Sequence, residues 1–199
     1  MERQVKDNAK FDYFVEDQFI YGGQKYAHSE EKEATDVLFD RYGKNWLIGT
    51  IDKYTFRFKT CAREKDLLKI ACYMFIFWLK RGMHLDLKSL GITTSVIVDT
   101  NVKVKTDKFS DFLLKVEGYR KIYNEESYGL ISHKNTIDAD VIVKINTISD
   151  ILTQWANVDF SLITEKEIIS IYIFCEHVWN IKFKSVAGQD ADTFNETKE

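Results

Sequence analysis

Glu64-Lys65-Asp66-Leu67-Leu68-Lys69-Ile70-Ala71-Cys72-Tyr73-Met74-Phe75-Ile76-Phe77-Trp78-Leu79-Lys80-Arg81 is the stretch that decides the fold. Leu67, Leu68, Ala71, Cys72, Phe75, Ile76 and Leu79 recur at three- and four-residue spacing, which lays a broad apolar face along a helix. Gly82 then suits its end. Just upstream, Trp46 to Lys59 reads as a second helix. Only the short polar joint Cys61 to Arg63 separates the two, so they are expected to lie antiparallel as an αα-hairpin.

Working outward, Phe11 to Tyr21 reads as a first helix or a packed arm, with Gly22-Gly23 as a break. Ser29 followed by Glu30, Glu31 and Lys32 reads as a helix start with acids in its first turn. That helix is expected to run to about Tyr42, with Gly43 as its stop. Beyond Gly91, Ser95 to Asp99 and Val102 to Thr106 are β-branched and alternate around Asn101, which predicts a small β-hairpin. Helical spacing returns from Phe109 to Tyr123. Asp138 to Trp155 fits a helix, though Val141 to Ile145 also suits the start of a strand, and Asp138 and Asp140 are placed to cap it. Thr164-Glu165-Lys166-Glu167 is a capping box that opens a strong helix through Trp179. The chain reads as non-repetitive. The expectation is a mainly α protein: an αα-hairpin core in 1–90, a small β-hairpin with C-terminal helices in 91–184, and a disordered tail in 185–199.

The bulk composition narrows the function classes. A formal net charge of -3 disfavours a duplex-DNA binder, which usually carries a basic surplus. The three cysteines, Cys61, Cys72 and Cys175, form no CxxC pair and no ligand spacing with histidine. A reducing compartment fits them best. MERQVKDNAK is too polar for a signal peptide, and Ile70 to Leu79 is too short to span a bilayer. These features predict a soluble cytoplasmic protein. Proline is absent, so helix stops must come from Gly and polar clusters.

The chemistry concentrates on the predicted hairpin. Lys53 and Arg57 are four apart and share a helix face; Asp66, Lys69 and Tyr73 share a face of the next helix. Turned together, these faces line one groove with cations, one carboxylate and a phenol. Arg and Lys supply phosphate contacts. Tyr54 or Tyr73 offers a ring for a base, and Gly49 lets a backbone or ligand come close. The same spacing also suits solvated faces and intrahelical ion pairs.

Gly49, Lys53, Tyr54 and Arg57, then Lys59, then Glu64, Lys65, Asp66, Leu67, Lys69 and Tyr73 stand in the order G-[NT]-x-x-K-Y-x-x-R … E-K-D-L-x-K-x-x-x-Y. This order resembles the signature of a small phage protein family that includes a nucleoside monophosphate kinase without a Walker motif. The family commonly has Asn where Thr50 stands and a small residue where Ile70 stands, and most members lack a C-terminal half of this length. Tyr21-Gly22-Gly23-Gln24-Lys25-Tyr26 is similar to an element of phage dATP/dGTP diphosphohydrolases. The resemblance implies a nucleotide ligand, with ATP or another nucleoside triphosphate as phosphate donor, and the host cytoplasm as the compartment. Lys53, Arg57 and Lys69 would then hold phosphates, and Asp66 would orient the attacking phosphate or an ion pair; Lys59 would add a further contact.

Glu30, Glu33 and Asp36 have a helical spacing that suits Mg²⁺ ligands, with Glu64 and Asp66 as acids from a second helix. This set predicts the alternative of a Mg²⁺-dependent nucleoside triphosphate pyrophosphohydrolase. First-turn acids serve equally to complement a helix dipole. A third alternative is a non-catalytic nucleotide sponge or host-modulating protein, with the C-terminal half as an oligomer or host-partner interface. His28, His84, His133 and His177 are scattered, and no P-loop, G-x-G-x-x-G or G-x-S-x-G occurs.

Overall fold

The computed structural model describes residues 2–26, 34–83, 101–127 and 137–183, and the side chains of 10–22, 34–83, 108–122 and 139–183. Among the described residues seven α-helices follow in order: α1 (Glu2–Tyr26), α2 (Ala34–Tyr42), α3 (Lys44–Cys61), α4 (Glu64–Lys80), α5 (Asn101–Ser127), α6 (Ile137–Asn157) and α7 (Glu165–Lys182). A short 3₁₀ turn, Phe160–Leu162, links the last two. Among the described residues none is in a strand, and no helix is long and apolar enough to cross a membrane.

The predicted αα-hairpin forms as α3 and α4. Ala62 takes a left-handed conformation (φ 46°) at the end of α3, where its N–H reaches the Phe58 carbonyl, and Arg63 opens α4. Gly82 (φ 73°) follows α4 as expected. Three expectations change. Val102 to Thr106 lie inside α5, so they do not form a hairpin strand; β-branched propensity is weak enough for a longer helix to override it. Ser95 to Asp99 lie outside the described residues. Gly22-Gly23 is not a break: α1 runs through both to Tyr26, at the modest cost of glycine within a helix. The ambiguous Asp138 to Trp155 segment is helical throughout, so Asp138 and Asp140 lie inside α6 rather than ahead of it. Ser29, Glu30, Glu33, His28 and the tail fall outside the described residues. The capping box at Thr164 and Glu167 is present in both directions.

One apolar core runs through both halves of the chain, from Phe11 and Val15 through Phe75, Trp78 and Phe112 to Tyr172 and Trp179. Its centre is the antiparallel contact of α4 and α7, held by two reciprocal hydrogen bonds. The indole N–H of Trp179, late in α7, donates to Glu64, the first residue of α4, at 2.7 Å. The indole N–H of Trp78, late in α4, donates to Glu165, the first residue of α7, at 2.9 Å.

This reciprocity exposes a repeat that the linear reading passed over. Glu64-Lys65-Asp66-Leu67-Leu68-Lys69-Ile70 and Trp78 align with Glu165-Lys166-Glu167-Ile168-Ile169-Ser170-Ile171 and Trp179. In the preceding helices Ile48-Gly49-Thr50-Ile51 aligns with Ile145-Asn146-Thr147-Ile148, and Phe11, Val15 and Glu16 of α1 align with Phe112, Val116 and Glu117 of α5. The helix packing follows the same exchange. Helices α4 and α7 pack on each other, as do α3 and α6, and α1 and α5; α3 with α4 is matched by α6 with α7, and α1 with α4 by α5 with α7. Ring contacts obey it too: Phe11 lies 5.9 Å from Trp179, and Phe112 lies 5.5 Å from Trp78. The described structure is therefore two three-helix units, α1-α3-α4 and α5-α6-α7, related by an approximate two-fold axis between α4 and α7. Helix α2 of the first unit has no equivalent among the described residues of the second.

Replacing Trp78 or Trp179 by Phe removes a partly buried hydrogen bond to a carboxylate, an interaction of about 1.5–3 kcal/mol. The two substitutions are expected to lower stability in urea unfolding by similar amounts, because they occupy equivalent places. A large effect from one and none from the other would contradict the equivalence.

Candidate functional site

Helices α3 and α4 bring most of the predicted groove residues together. Tyr54 points from α3 toward α4 and is only 9% exposed. Tyr73 of α4 stacks on it, with ring centres 5.9 Å apart and planes 24° apart. Around the Tyr54 ring sit the Lys53 ammonium at 4.5 Å, the Lys69 ammonium at 4.9 Å and the Arg57 guanidinium carbon at 5.7 Å. The electron-rich face of a tyrosine holds cations at these distances, so the ring gathers three positive side chains in one place.

Asp66 supplies the only carboxylate known to contact this cluster among the described residues. Its oxygen lies 3.3 Å from Arg57 Nη2. The side chain is 1% exposed, and among the described residues neither oxygen accepts a hydrogen bond. A buried carboxylate with an ion pair but no hydrogen-bond donor is rare, because burial strips away the water it would otherwise keep. Its place in the first turn of α4 gives it the helix dipole as partial compensation.

The remaining predicted residues separate from the cluster. Lys59 turns away and donates to Ser149 Oγ of α6 at 2.8 Å. Gly49 is exposed, and a methyl built there meets nothing within 4 Å, so no neighbouring backbone approaches it. Tyr54 is not an open ring for a base: Tyr73 and the three cations enclose it. Tyr73 itself is half-buried, edge-on to Trp46 at 6.1 Å.

Of the expected metal set, Asp36 does not come together with Glu64 and Asp66, and Glu30 and Glu33 lie outside the described residues. Asp36 pairs with Lys80 at 2.6 Å, at the C-terminal end of α4. Glu64 and Asp66 stand at its N-terminal end, about 21–24 Å away along a helix of about 1.5 Å rise per residue. Glu64 is taken by Trp179 and Asp66 by Arg57. Among the described residues no three His, Cys, Asp or Glu side chains lie close enough to share a metal ion. Neither buried cysteine is a nucleophile. Burial pushes the Cys72 thiol up to about 12 despite nearby Lys69, and it pushes Cys175 up as well.

The repeat supplies an internal control for the cationic cluster. At the equivalent positions of the second unit, Lys53, Tyr54 and Arg57 are matched by Asp150, Ile151 and Gln154; Asp66, Lys69 and Tyr73 are matched by Glu167, Ser170 and Phe174. The same helix pair thus closes without the three cations and without either tyrosine. Glu167 has a plain structural task there, in the capping box with Thr164 and within reach of the Trp155 indole at 3.5 Å.

A second polar cluster lies elsewhere and was not anticipated from the sequence. Arg120 of α5 grips Glu176 of α7 through Nε at 2.9 Å and Nη2 at 2.8 Å, and reaches Asp12 of α1 at 2.7 Å. The Tyr172 hydroxyl donates to the same Asp12 oxygen at 2.7 Å. All four residues are buried. Burial opposes the charge of Arg120, but Glu176 and Asp12 outweigh that and hold its pKa above the ordinary value. Burial and then Asp12 raise the Tyr172 hydroxyl. The signal that would have revealed this cluster is the repeat, which sets Asp12, Arg120, Tyr172 and Glu176 opposite apolar residues.

Comparison with protein-family models, with curated proteins and with solved structures returns no match.

Arg57→Gln strands the buried Asp66 carboxylate. Loss of one member of a buried pair costs about 3–5 kcal/mol; with Arg57 partly exposed, about 2 kcal/mol is expected after discounting for solvent screening. Asp66→Asn added to Arg57→Gln should recover part of that loss in a double-mutant cycle, and strict additivity would mean that the pair is not coupled.

Proposed function

We propose that the chain binds a nucleotide by its phosphates at the α3–α4 cluster. The observation that carries this reading is the gathering of Lys53, Arg57 and Lys69 around the Tyr54 ring beside a carboxylate, Asp66, that accepts no hydrogen bond among the described residues. Three cations against one carboxylate favour an anion of more than one charge. Asp66 favours a ligand that also brings a donor, as a sugar hydroxyl or a base amino group does. A nucleoside phosphate carries both. The missing counterpart in the second unit supports a role for the cations beyond packing.

Phosphoryl transfer is the activity that best fits such a site. Its transition state spreads negative charge over the transferred group, and catalysis rests on positioning and fixed positive charge. Lys53, Arg57 and Lys69 would hold the phosphates, and Asp66 would keep the Arg57 fork oriented. The resemblance to a phage kinase family points the same way, with a nucleoside triphosphate as donor. Mg²⁺-dependent hydrolysis through the Glu30, Glu33 and Asp36 set is disfavoured by the distance of Asp36 from Glu64 and Asp66. A binding protein without turnover would use the same cluster.

The enclosed Tyr54 ring makes the phosphate chain, rather than the base, the main determinant of affinity. Calorimetric titration of the purified chain should find one site per chain, similar affinities for purine and pyrimidine nucleotides of equal phosphate number, and competition by inorganic tripolyphosphate. Lys53→Gln with Lys69→Gln should weaken binding at least tenfold and leave the unfolding free energy within about 0.5 kcal/mol, the usual range for surface changes. Nucleotide affinity unchanged in that double variant would remove the cluster from the site. Mixing a mononucleotide with a triphosphate and separating the products would then distinguish kinase from binder.

A further inference from the structure

Phe56 of α3 is 65% exposed, whereas every other phenylalanine with a described side chain is buried or partly buried. A single exposed apolar side chain is ordinary on a protein surface, so the exposure alone carries nothing. Its place does. Gly49, Lys53, Phe56 and Thr60 follow one another at spacings of four, three and four, which lays them in one stripe along α3. All four are exposed. Phe56 is one turn beyond Lys53, and such a pair has Cβ atoms about 5–6 Å apart. A helical side chain leans over the turn on its N-terminal side, so the ring covers the turn that carries Lys53. The Lys53 ammonium lies 4.5 Å from the Tyr54 ring. Lys53 therefore stands between the exposed ring and the cation cluster.

The repeat again supplies a control. Lys53, Phe56 and Arg57 are matched in α6 by Asp150, Thr153 and Gln154. Thr153 turns its hydroxyl back to the Ser149 carbonyl at 2.9 Å. The exposed ring thus occurs in the unit that has the cations and is missing from the unit that lacks them, and the helix pair closes in both. What covers the ring must also suit the charge beside it. An apolar protein surface laid on Phe56 would desolvate the Lys53 ammonium without a counter-charge. An aromatic ligand that carries its own negative charge suits both.

We propose that Phe56 is the stacking platform for the base of the nucleotide whose phosphates the α3–α4 cluster holds; this rests on the phosphate reading above. The phosphates lie against Lys53, Arg57 and Lys69, the sugar passes Lys53, and the base covers the Phe56 ring. Stacking takes a face of each ring out of water and needs no hydrogen bond from the base. It accepts purines and pyrimidines alike, in keeping with a site that ranks its ligands by phosphate number. It also supplies what the enclosed Tyr54 cannot, an open aromatic face beside the cations.

Calorimetric titration and NMR on the full chain test this, with a nucleoside triphosphate and with inorganic tripolyphosphate, which has the phosphates and no base. The unaltered chain should bind the nucleotide about tenfold more tightly than tripolyphosphate, the order of magnitude that one base–aromatic stack contributes. Phe56→Ala and Phe56→Leu should erase that difference while leaving tripolyphosphate affinity and the urea midpoint unchanged, and Phe56→Trp should keep or enlarge it. Base protons of the bound nucleotide should shift upfield in the unaltered chain and not in Phe56→Leu. Tripolyphosphate binding together with an unchanged nucleotide affinity in Phe56→Ala would overturn the platform and leave the phosphate cluster standing. An equal loss for both ligands in Phe56→Ala would also overturn it, because the ring would then be supporting the cations rather than a base. Failure of both ligands to bind the unaltered chain would overturn the cluster reading, and this proposal with it.

Discussion

The reciprocal bonds of Trp179 with Glu64 and Trp78 with Glu165 fix how the two halves of the chain meet. Each bond ties the start of one long helix to the far end of the other. Together they set both the antiparallel direction and the register of α4 and α7. The remaining packing depends on that register. Phe11 and Phe112 reach the two tryptophans from opposite sides, α3 and α6 cross over the same axis, and the apolar core becomes continuous. The acids also sit in first turns, where the helix dipole favours their charge, so a single residue type at one position serves the dipole, the register and the burial of an indole.

The αα-hairpin was legible because periodic apolar residues, a short polar joint and a following glycine all pointed to the same geometry. The Thr164 capping box was legible because its residues are local in sequence. Gly22-Gly23 misled because glycine lowers helix stability by only about 1 kcal/mol each, which a long packed helix absorbs. The β-branched run in α5 misled for a related reason. Propensity is a local preference, and tertiary burial overrides it.

Of the candidate site, the residues on adjacent turns of one hairpin were readable: Lys53, Arg57, Asp66, Lys69 and Tyr73 do converge. What helical spacing could not give was the direction of Tyr54, which turns inward and becomes the centre of the cation cluster instead of a platform for a base. Lys59 and Asp36 found partners on α6 and α4, contacts with no trace in local spacing. The Arg120 cluster draws its members from three helices far apart in sequence. Only an alignment of one half against the other marks them, as polar residues at positions where the repeat expects hydrocarbon.

Joining two similar units in one chain has a consequence for how the protein can change. In a symmetric pair of identical subunits every substitution is made twice, so a cluster of like charges near the axis is doubled along with its cost. Here the link removes that obligation. One unit has gathered three cations where its twin keeps an aspartate, a glutamine and a serine, and the other has buried an ionic knot where its twin keeps two phenylalanines. Asymmetry of this kind lets one half act as scaffold for chemistry placed in the other, without either giving up the shared framework.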